Sequence, residues 1–359
     1  MKINFIVPEI TRTGGIRTVF EYSNRLIERG HDVMLYAPII PFNPYKRMIV
    51  PYYIRYRLKY VKKYITRKKM IPDNIFERKF EIKYVPLIIN SFVRKAEVSI
   101  ATSWTSAFAV NKLNRSRGKK FYLIQDYEVW FSNKKYADMS YRLPLNRIVV
   151  SSYLKTLLSE KFGVDSTVIH VGLDYNKFIN ADKKFTSRKK ILFMDHMLEN
   201  KNTEGAILTV KKLREKYSSL EYRCFGINKY HEIPEYVEFI KDPDDRTIVE
   251  LYCTSDIFIF SSKYEGFGAT PAEAMACKCA VVANAVAAIP EYAIDKETAI
   301  LTDPHDPDGL FRGVCYLLDN ESELQRMSIA GYEHIKKVLN WDNAVDKFER
   351  EFYKTIKGQ

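Results

Sequence analysis

Apolar positions along the first forty residues change period twice. Ile3, Phe5 and Val7 alternate as the inward face of a strand, and residues 10–15 form a Thr/Gly turn. After Gly14-Gly15, apolar residues fall at Val19, Tyr22, Leu26 and Ile27, a helical spacing that ends at Gly30. Val33–Ala37 then reads as a second strand, closed by Pro38. Further apolar runs at Val98–Ala101, Phe121–Ile124 and Arg147–Val150 predict strands, with Ser151 capping a helix over Ser152–Lys161.

The pattern restarts after Gly172. Strands are expected at Ile191–Met194, Tyr222–Phe225, Ile257–Phe260 and Ala280–Ala283. Helices are expected at Thr203–Tyr217, from about Arg246 to Cys253, from Thr270, and near 307–318 and 321–338. An amphipathic helix at Trp341–Lys357 closes the chain. Two successive β/α-alternating halves predict an α/β protein with two doubly wound parallel sheets. A length of 359 residues fits two domains of about 150–200 residues. The expected division is residues 1–172, joined by the last helix at about 341–359, and residues 173–340.

An apolar share of 46% and a charged share of 28% describe a folded chain rather than a disordered one. Five cysteines without ligand spacing read as small buried hydrophobes, not as a disulfide frame or zinc site. The apolar run before Pro8 is too short for a signal-peptide core or a membrane span, so a cytoplasmic protein is expected.

The net charge of +13 is concentrated between Lys46 and Lys83, where thirteen Lys/Arg stand against three Asp/Glu. Tyr52, Tyr53, Tyr56, Tyr60, Tyr64, Phe76 and Phe80 interleave with them. A solvated insertion, a nucleic-acid surface and an anionic membrane contact all fit this segment. No nucleic-acid recognition motif accompanies it, so no nucleic-acid partner is expected. Peripheral attachment to the inner face of a membrane fits a lipid-linked substrate.

The most informative stretch runs from Ile257 to Ala276: a buried strand, a loop with Gly266 and Gly268, then a helix. In doubly wound sheets ligands bind at the carboxyl ends of strands, so Ser261–Thr270 is well placed for a site. Glycines let backbone amides approach a ligand, and a helix start offers N–H groups and partial positive charge suited to a diphosphate. Thr270-Pro271-Ala272-Glu273 also fits a capping box, which is a structural reason for Glu273. Glu265 precedes the loop and has no such reason.

Glu265, Gly266, Phe267, Gly268, Glu273, Ala274, Met275 and Ala276 fill all fixed positions of the E-G-F-G-x-x-x-x-E-A-M-A signature. The chain therefore resembles the retaining GT-B glycosyltransferases of family 4, with two Rossmann-like domains facing across a cleft. The resemblance implies that Glu273 binds the ribose of a nucleoside-diphosphate sugar. It implies that Glu265, with amides from Phe267 to Ala269 beside Thr270, holds the sugar and phosphates.

Other segments extend the likeness. Gly14-Gly15 with Arg17 resembles the glycine loop where phosphates and acceptor approach, and Val168–Asp174 resembles the interdomain element. Lys201 falls where the family has its diphosphate-binding lysine, whereas His196 replaces the companion arginine and suggests a pH-sensitive clamp. Val286–Glu291 replaces paired glycines and reads as a stiffer turn. Val237–Lys241 resembles a base-reading loop, which makes Phe239 and Lys241 candidates. Gln125, Asp126 and Glu128 follow a strand in a Q-D-Y-E run similar to bacterial rhamnosyltransferases of cell-surface glycans, implying acceptor contacts and dTDP-L-rhamnose.

The implied chemistry is sugar transfer with retention of configuration onto a glycan or lipid-linked acceptor. Asp126 or Glu128 would orient the acceptor. The six histidines show no ligand spacing and no Asp-x-Asp motif occupies a plausible loop, so neither metal nor cofactor is expected. The competing readings are a nucleotide-sugar epimerase on the same fold and a non-catalytic basic membrane- or nucleic-acid-binding protein.

Overall fold

The computed structural model describes residues 1–40, 58–62, 64–66, 76–128, 134–175, 178, 183–185 and 188–358. Most of the basic segment 46–83, including Tyr52, Tyr53 and Tyr56, lies outside the described residues. The chain divides into two compact units, Met1–Val171 with Asp342–Gln359, and Gly172–Trp341.

The first unit is built on a parallel sheet in the order β3-β2-β1-β4-β5-β6-β7. Its strands are β1 (Lys2–Ile6), β2 (Asp32–Pro38), β3 (Glu81–Val85), β4 (Val98–Ala101), β5 (Lys119–Ile124), β6 (Asn146–Val149) and β7 (Thr167–Val168). Phe5, Leu35, Ile100 and Phe121 on one face and Ile6, Tyr36, Ala101 and Tyr122 on the other are all buried, the pattern of a sheet covered on both faces. The helix Gly14–Glu28 buries Ile16, Val19, Phe20, Tyr22 and Leu26. It ends at Gly30 with φ +84°, where the Gly30 and His31 amides bond back to Ile27 and Leu26.

The second unit carries a parallel sheet in the order β10-β9-β8-β11-β12-β13. Here the strands are β8 (Lys190–Met194), β9 (Glu221–Gly226), β10 (Val237–Lys241), β11 (Ile257–Phe260), β12 (Ala280–Asn284) and β13 (Ile300–Thr302). The chain winds outward from β8 to β10 and then crosses to β11, so the order reverses between β8 and β11. That reversal is where doubly wound sheets open a crevice at their carboxyl ends.

The final helix, Trp341–Lys357, packs on the first unit. Tyr22 stacks on Phe348 at 4.3 Å and Phe121 meets Phe352 at 4.9 Å between ring centroids. Arg29 pairs with Asp346 and Glu349. His31 Nε2 lies 2.5 Å from Glu349.

The structure departs from the hydrophobic pattern at sheet edges. β3 occupies the end of the segment read as a basic insertion, and Lys83 lies on it. Val237–Lys241 is not a loop but the edge strand β10, paired in parallel with β9 from Val237↔Tyr222 to Lys241↔Gly226. Glu81 and Lys83 alternate with apolar residues on β3, and β10 carries Glu238 and Lys241, because an edge strand is left partly wet. All five cysteines are unbridged, four of them buried.

Candidate functional site

β11 delivers the site in the second unit. Its four residues, Ile257 to Phe260, are buried, so the polar loop that follows must begin at the sheet's carboxyl edge. The side-chain amide of Asn284 donates to the carbonyls of Ser261 and Ser262 at 2.8 and 3.2 Å. Asn202 donates to Ser261 O at 3.1 Å, and Ser261 Oγ donates to Lys201 O at 3.1 Å. The Lys263 amide reaches Asn200 O, and Asn200 donates to Tyr264 O. The loop after β11 is thereby stitched to the turn after β8.

That stitching brings Lys201 and Glu265 together. Lys201 Nζ lies 2.5 Å from Glu265 Oε1, which also accepts from Ser262 Oγ at 2.9 Å. Both side chains are largely buried, at 19% and 8% exposure, so each depends on the other for compensation. Lys201 closes a short 3₁₀ turn, and Asn202, at φ +50°, redirects the chain into the helix Thr203–Lys216.

Gly266, Phe267 and Gly268 are buried beyond Glu265. Gly268 has φ +79° and starts the helix Ala269–Ala276. Tyr292 supports this bend: its hydroxyl donates to Gly268 O, and its ring lies 5.4 Å from that of Phe267. Burial holds the Tyr292 hydroxyl well above its ordinary pKa, and the charges of Glu265 and Glu273 add to that rise. Glu265, Glu273 and Tyr292 thus share one neighbourhood.

Two expectations are corrected here. Thr270 does not cap the helix: Gly268 is the cap residue, without a side-chain bond, and the helix begins at Ala269. Thr270 therefore already has helical backbone, and Glu273 stands too far along to close a capping box. His196 is not a partly charged partner of Lys201. Burial first, then the Lys201 charge, lower its pKa to about 4 despite the opposing pull of Asp195. Its Nδ1 accepts the Leu198 amide at 3.1 Å, as a neutral ring can. Phe239, partly buried, packs against the hydrophobic core, and Lys241 is exposed at the end of β10.

In the first unit, Gly15 and Gln125 meet where the strand order reverses between β1 and β4. Gln125 Nε2 donates to Gly15 O at 3.2 Å. Arg17 stacks its guanidinium over Phe76, 5.0 Å from the ring centroid. Asp126 accepts the Tyr127 amide at 2.7 Å. Glu128 Oε2 accepts the amide of Trp104 at 2.8 Å, at the first turn of the helix Trp104–Lys112. Burial pushes its carboxyl up to about 7, against the pull of that N–H.

Ser262, Asn200, Asn202, Asn284 and Tyr292 escape sequence reasoning. Polar residues after buried strands are common, and only the fold shows that these five converge on one loop. Among the described residues, no group of three His, Cys, Asp or Glu side chains is arranged to hold a metal ion. No helix there is long and apolar enough to cross a membrane.

Residues 174–334 match the family model for glycosyl transferases group 1. An uncharacterized glycosyltransferase of Methanocaldococcus jannaschii is 24% identical over 98% of this chain and 97% of its own length. Sucrose-phosphate synthase from Thermosynechococcus elongatus superposes with a TM-score of 0.73 at 14% identity, over 100% of both chains. HepE of Anabaena, solved with UDP-glucose, gives 0.71 at 14% identity, again over 100% of both. The fold is that of the GT-B glycosyltransferases. The chain is an enzyme that transfers sugars, which is favoured over an epimerase or a non-catalytic binding protein.

Proposed function

We propose that this sugar transferase takes its sugar from a nucleoside-diphosphate donor bound in the second unit and delivers it, with retention of configuration, to a glycan or lipid-linked acceptor. The observation that carries the proposal is the Lys201–Glu265 pair, set where the strand order reverses and followed by the open helix start at Ala269. Glycosyl–phosphate cleavage needs a stabilised leaving diphosphate and a shielded cationic carbon. Lys201 has three N–H donors and shares one with Glu265, leaving two directions for phosphate oxygens. The helix start adds partial positive charge.

In this reading the amides of Phe267 to Ala269 also face the diphosphate. Glu273 holds the ribose, and Glu265 the transferring sugar. Asp126 orients the acceptor hydroxyl, with Gly15, Arg17, Gln125 and Glu128 around it. The UDP-glucose bound by HepE supports a nucleotide sugar as donor. The Gln125–Glu128 run makes dTDP-L-rhamnose the first donor to test, in bacterial cell-surface polysaccharide synthesis. The positive field of Lys201 and the helix start supports transfer without a metal. The basic segment 46–83 is assigned to an anionic membrane surface, and vesicle co-sedimentation tests that assignment.

The decisive experiment compares wild type with Glu265→Gln. Thermal shifts with UDP, GDP and dTDP identify the base. Transfer from the matching donor sugar is then measured with and without EDTA, and the product anomer is read by NMR. The variant should lose about 10²–10³-fold in kcat while remaining folded. Full activity in Glu265→Gln would end the proposal. Abolition of activity by EDTA would end its metal-free part, and an inverted anomer its retaining part.

A further inference from the structure

We propose that His231, seated on the buried carboxylate of Asp195, is a second phosphate-binding residue of the donor site and works beside Lys201. This rests on the nucleoside-diphosphate reading above.

Asp195 directly follows β8, and its side chain has no exposed surface. Its carboxylate is satisfied from the loop after the neighbouring strand β9. The Tyr230 amide donates to Oδ2 at 2.7 Å, the His231 amide to the same oxygen at 3.4 Å, and His231 Nδ1 to Oδ1 at 2.7 Å. Since a carboxylate only accepts, Nδ1 carries a proton. The imidazole is 26% exposed, and Nε2 lies across the ring from the atom bound to Asp195.

The position is close to the site already described. β8 and β9 are neighbours in the sheet, about 4.8 Å apart. Gly226, which ends β9, sits so close to Asp195 that an added Cβ would lie 2.6 Å from its carbonyl oxygen. His196, next to Asp195 in the chain, feels the charges of both Lys201 and Asp195.

The Lys201–Glu265 pair is neutral in sum, and so is His196, whereas a bound diphosphate carries two or more negative charges. For Nε2 to donate to a phosphate oxygen the ring must take up a proton. The imidazolium then lies between two anions, Asp195 and the phosphate. Charged and titratable groups near it are Asp195 and His196 after β8, Lys201 beyond them, Cys224 on β9, and Lys229, Tyr230 and Glu232 on its own loop. A neutral ring would instead accept at Nε2, which suits a ribose hydroxyl or a base N–H.

His231→Asn separates the two functions, because the Asn amide can replace Nδ1–H toward Asp195 but has nothing where Nε2 was. Binding is measured by calorimetry with whichever of UDP, GDP and dTDP binds wild type best, and with the matching nucleoside. The expected result is a loss of about 10- to 100-fold for the diphosphate and little change for the nucleoside. Unchanged diphosphate affinity in a folded His231→Asn overturns the inference, as does an equal loss for nucleoside and diphosphate. His231→Ala, read in the same two titrations, decides the inference if His231→Asn does not fold. Lys201→Ala separates the two levels. If it loses the diphosphate while His231→Asn keeps it, only this inference fails; if wild type binds none of the three, the donor reading fails with it.

Discussion

Glu128 and His196 are shifted in opposite directions by the same cause, burial, because one is an acid and the other a base. Glu128 sits at about 7 in the folded chain against about 4.3 when unfolded. The stability tied to its protonation is present below about pH 4 and is lost as pH rises through 7. Glu128→Gln keeps an oxygen for the Trp104 amide and cannot ionise. Its melting temperature relative to wild type should therefore climb between pH 5 and 8; parallel curves would refute this. His196 sits at about 4 in the folded chain against about 6.5 unfolded. Its contribution is present above about 6.5 and is lost as pH falls toward 4. His196→Gln should flatten the acid side of the stability curve, seen as a smaller fall in melting temperature from pH 7 to 4.5.

Among the elements, the bend into the helix Ala269–Ala276 depends on backbone that only glycine adopts cheaply. A Cβ on Gly268 would combine φ +79° with a 3.2 Å approach to Ile289. Left-handed backbone costs an ordinary residue about 1–2 kcal/mol. Gly268→Ala should lower the melting temperature and weaken nucleoside-diphosphate binding together, because the same bend carries Glu265 and the helix start. Normal binding in a destabilised Gly268→Ala would separate the bend from the site. Ala287 presents the converse case. It already holds φ +51° just before the short helix Ile289–Tyr292 that carries Tyr292. Ala287→Gly relieves that strain but gives freedom to the unfolded chain, so a net gain of up to about 1 kcal/mol is expected in denaturant titration.

For the molecule as a whole, the chain crosses into a second unit at Gly172 and returns after Trp341 to finish on the first. Phe348 and Phe352 are fully buried there, against Tyr22 and Phe121. The last helix is part of the first unit's core rather than an appendage. Phe348→Ala should cost about 3–5 kcal/mol, the usual penalty for emptying an aromatic from a packed core. That loss should appear as early unfolding reported by first-unit probes such as Trp104. An unchanged transition would mean that the helix is not integral to the unit.

By itself the chain determined what short-range pattern can encode. Buried parallel strands write themselves as apolar runs, and the run Glu265–Ala276 combines a strand end, two glycines and two carboxylates in one continuous segment. Edge strands such as β3 and β10 stayed hidden because one wet face dilutes the apolar signal with Lys and Glu. Only the tertiary structure decided which residues meet. Lys201 and Glu265 are 64 residues apart and touch because β8 and β11 are neighbours where the strand order reverses. Tyr292 and Asn284 support the loop from beyond the helix, and Asp195 finds His231 across two strand ends. Burial, likewise, is a property of the folded chain, and burial is what made His196 neutral and set Glu128 near neutrality.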